Sequence, residues 1–173
     1  MKLVAIDFET ADCSADSACA IGIVSIENGK ITKKGYRLIR PPRPYFAFSH
    51  IHGISWADVE AQATFGEVWD RFVPLWKDAD YFLAHHAPFD RNVLTACCSA
   101  AGRTPPGAPF ICTVRVARLH WNFRPANLPA ACIQLGISLK HHDAASDALA
   151  CASIALRAMK EEFPIHSAAL EGP

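Results

Sequence analysis

The chain opens MKLVAIDFET (residues 1–10), and the reading of this stretch decides the rest. Six of its first eight residues are apolar, yet Asp7 interrupts the run and Glu9 follows two positions later. A strand sends successive side chains to opposite faces. Asp7 and Glu9 therefore point the same way, beside Leu3 and Ala5. A carboxylate buried there without a partner is very costly. The two acids require a cation, a metal ion or an open cleft.

Working outward, residues 3–8 read as a central strand. In CAIGIVSIENGKITKKGYRLI (19–39), Asn28-Gly29 separates two apolar-alternating runs, a strong hairpin signal. Strands are predicted near 19–27 and 30–39, the first antiparallel to the opening strand. RPPRPYFAFSHIHGIS (40–55) reads as a proline-broken loop. TFGEVWDRFVPLWKD (64–78) has helical spacing, weakened at its end by Pro74. YFLAHH (81–86) is a short strand, and PFDRNVLTACCSAAG (88–102) a helix with Pro at its start and Gly102 at its end. FICTVRVARLH (110–120) begins as a strand and turns helical. LPAACIQLGI (128–137) is a short helix closed by Gly136. DAASDALACASIALRAMKEEF (143–163) is a long helix with Asp143 as N-cap. The tail after Pro164 reads as loose. Hairpin strands followed by alternating helices and strands predict one α/β domain over 1–173, ordered over about 1–164, with helices packed on a mixed sheet.

Composition narrows the class. Of 173 residues, 51% are hydrophobic and 20% charged, as in an ordinary globular chain. No apolar run approaches the ~20 residues of a membrane span, and no secretory signal pattern is present. The 7 cysteines are odd in number and lack zinc-site spacing, so reduced thiols in the cytoplasm are expected. With 17 basic and 17 acidic residues, global charge gives no argument for a nucleic-acid partner. Arg37, Arg40 and Arg43 form the one compact basic patch, read as a solvated surface. Trp69, Phe72 and Trp76 read as core, and His85 as structural.

Two further acids stand out. Asp90 follows Phe89 at a helix start. Asp147 shares a stripe with Cys151, Ile154 and Ala158, at steps of 4, 3 and 4, which should pack on the sheet. If the last helix lies against the first strand, the acids converge. Their mutual repulsion raises their pKa values, and divalent cations relieve it. Hard oxygen ligands suit Mg²⁺ or Mn²⁺, and two such ions can activate water for phosphodiester cleavage. A neutral His142 can take that water's proton.

DFET (7–10), AHHAPFD (84–90) and HDAASDA (142–148) resemble the three motifs of the DEDDh exonuclease superfamily. HIHGIS (50–55) and ICTVRVAR (111–118) resemble further family segments, and the similarity spans Leu3 to about Phe163. It is nearest the proofreading epsilon subunit of bacterial DNA polymerase III and its stand-alone relatives. The resemblance implies a ribonuclease-H-like fold with a five-stranded sheet, and 3′→5′ exonuclease activity on a single-stranded nucleic-acid end, in DNA proofreading or repair. It implies Asp7, Glu9, Asp90 and Asp147 as holders of two Mg²⁺ or Mn²⁺ ions, and His142 as general base. It places Phe8, Thr10, Ala11, His52 and Phe89 around the 3′-terminal nucleotide. Two departures are visible: His86 replaces the usual Asn, and Pro129 stands in a segment that normally begins Lys-Leu. A polymerase is an implied partner, although no tethering tail or clamp-binding pentapeptide follows the last helix. RNA as substrate, and a fold that binds without cleaving, are the alternatives.

Overall fold

The computed structural model describes residues 1–170. Strand β1 (Lys2–Thr10) is followed by β2 (Ala18–Glu27) and β3 (Lys30–Leu38). Asn28 and Gly29 both take positive φ, 52° and 73°, as a two-residue type I′ hairpin requires. Four short helices come next: α1 (Ser49–His52), α2 (Trp56–Val59), α3 (Phe65–Arg71) and α4 (Val73–Trp76). Then come β4 (Tyr81–Ala84), α5 (Ala87–Ala100), β5 (Phe110–Cys112), α6 (Thr113–Trp121), α7 (Leu128–Leu135) and α8 (Ala144–Lys160). β1–β2 and β2–β3 pair antiparallel, while β4 joins β1 and β5 joins β4 in parallel. The order β3-β2-β1-β4-β5 puts β1 at the centre of a mixed five-stranded sheet, the α/β fold expected.

The two faces of β1 sort as strand alternation demands. Val4, Ile6 and Phe8 pack with Phe65, Trp69 and Leu94 beneath α3 and α5. Leu3 and Ala5 pack with Cys151 and Ile154 of α8. Asp147, Cys151, Ile154 and Ala158 are all buried on the sheet side of that helix. The acids of β1 and of α8 therefore share one layer. Exposed Lys30, Lys33 and Lys34 guard the edge strand β3 against pairing with other chains.

Three expectations change. The 40–55 loop contains the single turn α1. The helix expected over 64–78 is two helices meeting at Phe72, because Pro74 fits only in a first turn and so starts α4. The tail is not loose: Ile165–Ala168 form a 3₁₀ turn with Ile165 and Ala168 buried. Leu170 N–H donates to Phe110 O at 2.7 Å, and Arg115 Nη1 to Ala169 O at 2.6 Å. Two small apolar anchors and backbone pairing dock this segment. Residues 171–173 of the expected tail lie outside the described residues.

Candidate active site

β1 carries Asp7 and Glu9 to its C-terminal end. The pairing register with β2 shifts between Glu9 and Thr10, a bulge of the kind that re-aims side chains at a strand end. α8 enters from the other side. Asp143 caps it, its side chain accepting from Ser146 N at 3.1 Å and from Lys140 Nζ at 3.0 Å. One turn later Asp147 reaches the β1 acids. Ligand oxygens of Asp7, Glu9 and Asp147 lie within 4.8 Å of one another.

This cluster is electrostatically strained without a cation. Glu9 is 8% exposed and Asp147 4%. Burial, then Asp147 and Asp143, push Glu9 up to about 7. Burial, then the neighbouring carboxylates of Asp90, Asp147 and Glu9, hold Asp7 well above the usual carboxylate range. Burial raises Asp147 too, against hydrogen bonds that lower it. Its Oδ2 accepts from His141 Nδ1 at 2.9 Å and His142 N at 3.2 Å. Its Oδ1 is the one buried side-chain oxygen or nitrogen with no hydrogen-bond partner among the described residues. An orphaned carboxylate oxygen beside two more carboxylates fits a hard divalent cation.

Asp90 lies beside this trio, on α5. It is 2% exposed and accepts from Phe8 N at 3.1 Å. Burial raises it strongly, as the Glu9 and Asp147 charges also do, against that hydrogen bond. Asp90 is not a member of the three-acid cluster, but its charge is the largest acting on Asp7.

His142 is exposed at the mouth with φ 63°. Burial and His141 lower its pKa, keeping the imidazole neutral to lower pH. A cleft of about 470 Å³ opens here, lined by Glu9, Tyr36, His50, His52, His141 and His142 among others. His52 Nδ1 accepts from Ile54 N at 3.0 Å. Its Nε2 therefore carries the proton and donates to Thr10 O at 3.1 Å. Phe89 is exposed at the start of α5, next to Asp90.

Phe8 and Ala11 are both buried. Phe8 lies between Asp7 and Glu9, so its ring falls on the opposite face, 3% exposed and 6.4 Å from the Phe65 ring. It serves the site through the backbone N–H that holds Asp90. Ala11 is fully buried, its N–H donating to Ser17 O and its carbonyl accepting from Ala47 and Phe48. His85 is structural as expected: Nδ1 pairs with Thr113 Oγ1 at 2.9 Å and Nε2 donates to Ala126 O at 3.0 Å. His86 stands exposed with φ 79°, and its side chain does not cap α5. This left-handed position explains why Asn is usual there, since Asn adopts it readily. Neither His141 nor Tyr36 has a role assigned from sequence. The His141-His142 doublet was the available signal for the first, and strand register alone places the second.

The central strand of the mixed sheet thus ends in a set of carboxylates, with a histidine at the mouth of the cleft. The RNase_T family, described as Exonuclease, matches residues 4–155, and the chain belongs to this family. The DNA polymerase III PolC-type of Thermotoga maritima is 30% identical over 158 residues, covering 89% of this chain and 12% of that protein. Exodeoxyribonuclease 10 of Escherichia coli is 32% identical over 102 residues, covering 58% of this chain and 40% of that protein. The chain thus spans well under half of the curated relatives it matches. Its fold is shared with exonuclease X solved with 5′-overhanging duplex DNA, at TM-score 0.76, 24% identity and coverage of 96% and 97%. It is shared too with the DEDDh nuclease domain of 3′hExo bound to rAMP, at TM-score 0.83, 16% identity and coverage of 99% and 97%. No helix among the described residues is long and apolar enough to cross a membrane.

Proposed function

We propose that this chain, as a single domain, is a two-metal-ion 3′→5′ exonuclease that releases 5′-mononucleotides from single-stranded or frayed DNA ends. The observation that carries this is the convergence of Asp7, Glu9 and Asp147 within 4.8 Å beside His142 in an open cleft. Asp7, Glu9 and Asp147 would hold Mg²⁺ or Mn²⁺, with Asp90 serving the second ion. Bound ions would supply an acidified water and neutralise charge on the leaving oxygen.

The protein's own residues do the rest. His142 takes the proton of the attacking water as its oxygen bonds to phosphorus. The phosphorus–O3′ bond breaks, and the upstream nucleotide leaves with the 3′ oxygen, protonated from solvent. The 3′-terminal nucleotide sits against Glu9, Thr10 and His52, with Phe89 flanking the strand that leads in. The His52 tautomer is fixed by Ile54 and Thr10, so its ring offers a shaped wall. Such contacts tolerate any base.

DNA as substrate draws support from the DNA-acting names of both curated relatives. The PolC relative carries the matching stretch inside a polymerase, which favours a proofreading or repair setting beside one. Seven free thiols suit the reducing cytoplasm.

The test is parallel digestion, with and without Mg²⁺, of labelled single-stranded DNA, duplex DNA with mismatched ends, RNA, a 3′-phosphorylated strand and a circular strand. Mononucleotide release from DNA 3′ ends, with the blocked and circular strands resistant, supports the proposal. Faster loss of RNA would replace DNA as substrate. Cutting of the circle, release from the 5′ end, or no cleavage of any strand would overturn it.

A further inference from the structure

His141 faces the acid cluster from outside and touches one of its members, Asp147. Its Nδ1 lies 2.9 Å from Asp147 Oδ2. That same oxygen also accepts the His142 backbone N–H at 3.2 Å. A carboxylate oxygen accepts, so Nδ1 is the proton donor in its contact. The consequence for the carboxylate is a fixed orientation. Oδ2 is fully engaged outward, and Oδ1 is left buried and unpartnered. The imidazole of His141 also stacks on His142, with ring centroids 3.8 Å apart and planes 25° from parallel. Its side chain is 39% exposed against 5% for that of Asp147, so it forms the rim of the site rather than its floor.

We propose that His141 is a positioning residue that locks the Asp147 carboxylate with Oδ1 free for a divalent cation. Partners that orient a ligating carboxylate from behind typically account for about 10–100-fold in metal affinity or activity. Without the Nδ1 donor, Asp147 keeps one backbone N–H on Oδ2 and can rotate. Rotation would move Oδ1 from the buried, unpartnered position it holds. His141 is not placed to ligate the ion itself, because its Nδ1 is committed to Asp147 and its ring lies on the solvent side. The stacking on His142 is a second contact, and the variants separate it from the first.

This inference rests on the metal-site reading above, and Mn²⁺ binding to the free 173-residue chain, followed by electron paramagnetic resonance, tests both without substrate. Three variants distinguish the parts. His141→Leu removes donor and stacking. His141→Phe keeps a stacking ring without a donor. His141→Asn places an amide N–H near the position of Nδ1. The expected result is Mn²⁺ affinity about 10–100-fold weaker for the Leu and Phe variants and within about three-fold of the parent for Asn. Unaltered affinity in the Leu variant overturns the proposal. So does tighter binding in that variant, which would make the imidazole a competitor for the metal. An Asn variant as weak as the Leu variant also overturns it. Asp147→Asn is the separate control: if it leaves Mn²⁺ affinity intact, the metal-site reading itself fails, whatever His141 does.

Discussion

Gly22 lies directly beneath the first turn of α8: a Cβ on it would stand 1.9 Å from the Ala144 carbonyl oxygen. Gly22 is also the β2 residue paired with Asp7. The absence of a side chain at this one position lets the helix descend to the sheet where the two acid sets must meet. Gly22→Ala should therefore lift the N-terminus of α8, since the obstacle is backbone and cannot rotate away. Overpacking of this kind costs roughly 1–3 kcal/mol, and a shift near 1 Å at the acids can cost about 10²-fold in rate. Thermal denaturation and turnover on single-stranded DNA check both. A variant with parental Tm and activity would show that α8 does not need this close approach.

The acid cluster makes a paired prediction. Asp7→Ala, Glu9→Ala and Asp147→Ala should each lower turnover by at least about 10³, as loss of a metal ligand does. Metal-free stability should hold or rise, because each change relieves like-charge repulsion. Activity assays and melting curves on the same preparations separate catalytic loss from unfolding.

Glu9 contributes to the pH dependence of the metal-free protein, alongside the raised carboxyls of Asp7, Asp90 and Asp147. Its carboxyl is raised from 4.5 to about 7 in the folded state. The folded chain thus holds a proton there that the unfolded chain has lost, and stability falls as pH rises through that window. Tm without metal should decline between about pH 5 and 7, and Glu9→Gln should flatten the decline. Mg²⁺ should reverse it and release protons on binding. A flat Tm profile in the parent protein would contradict the raised carboxyl.

His142→Ala should reduce turnover by roughly 10²–10⁴ with Mn²⁺ affinity preserved, as for loss of a general base. The parent's rate should fall on the acid side, at a pH below the ordinary histidine value of 6.5, because burial and His141 lower this imidazole. The variant should lose that limb of the pH–rate profile. Loss of metal affinity would make His142 a ligand.

His86→Asn should raise Tm slightly, since Asn takes the left-handed conformation at φ 79° more readily than His. Activity should stay within about three-fold, the exposed imidazole having no contact with the acids. A collapse of activity would assign the His86 ring a part in the site.

Much of this site is legible in ten residues. Strand alternation puts Asp7 and Glu9 on the face of Leu3 and Ala5, and helical spacing puts Asp147 on the buried stripe of α8. The same alternation puts Phe8 in the opposite layer, which the motif resemblance obscured. What is not legible depends on contacts distant in sequence. Gly22 reads as an ordinary small strand residue until α8 lands on it. Asp90 reads as a helix-start charge, and its bond to the Phe8 backbone needs β1 and α5 placed together. Ile165 and Ala168 are too few to signal a docked turn, and backbone pairing with β5 has no sequence pattern. His141 looked like the neighbour of a base, because a doublet does not say which ring faces the carboxylate.

The central claim is that Asp7, Glu9 and Asp147 form a divalent-metal centre for hydrolysis at a 3′ end. Anomalous scattering from crystals grown with Mn²⁺ and a 5′-mononucleotide tests it most directly. Two peaks roughly 3.5–4 Å apart are predicted, one ligated by the trio and the other on the Asp90 side, with the nucleotide phosphate touching both. No peak at the trio, or a phosphate bound elsewhere, would contradict it.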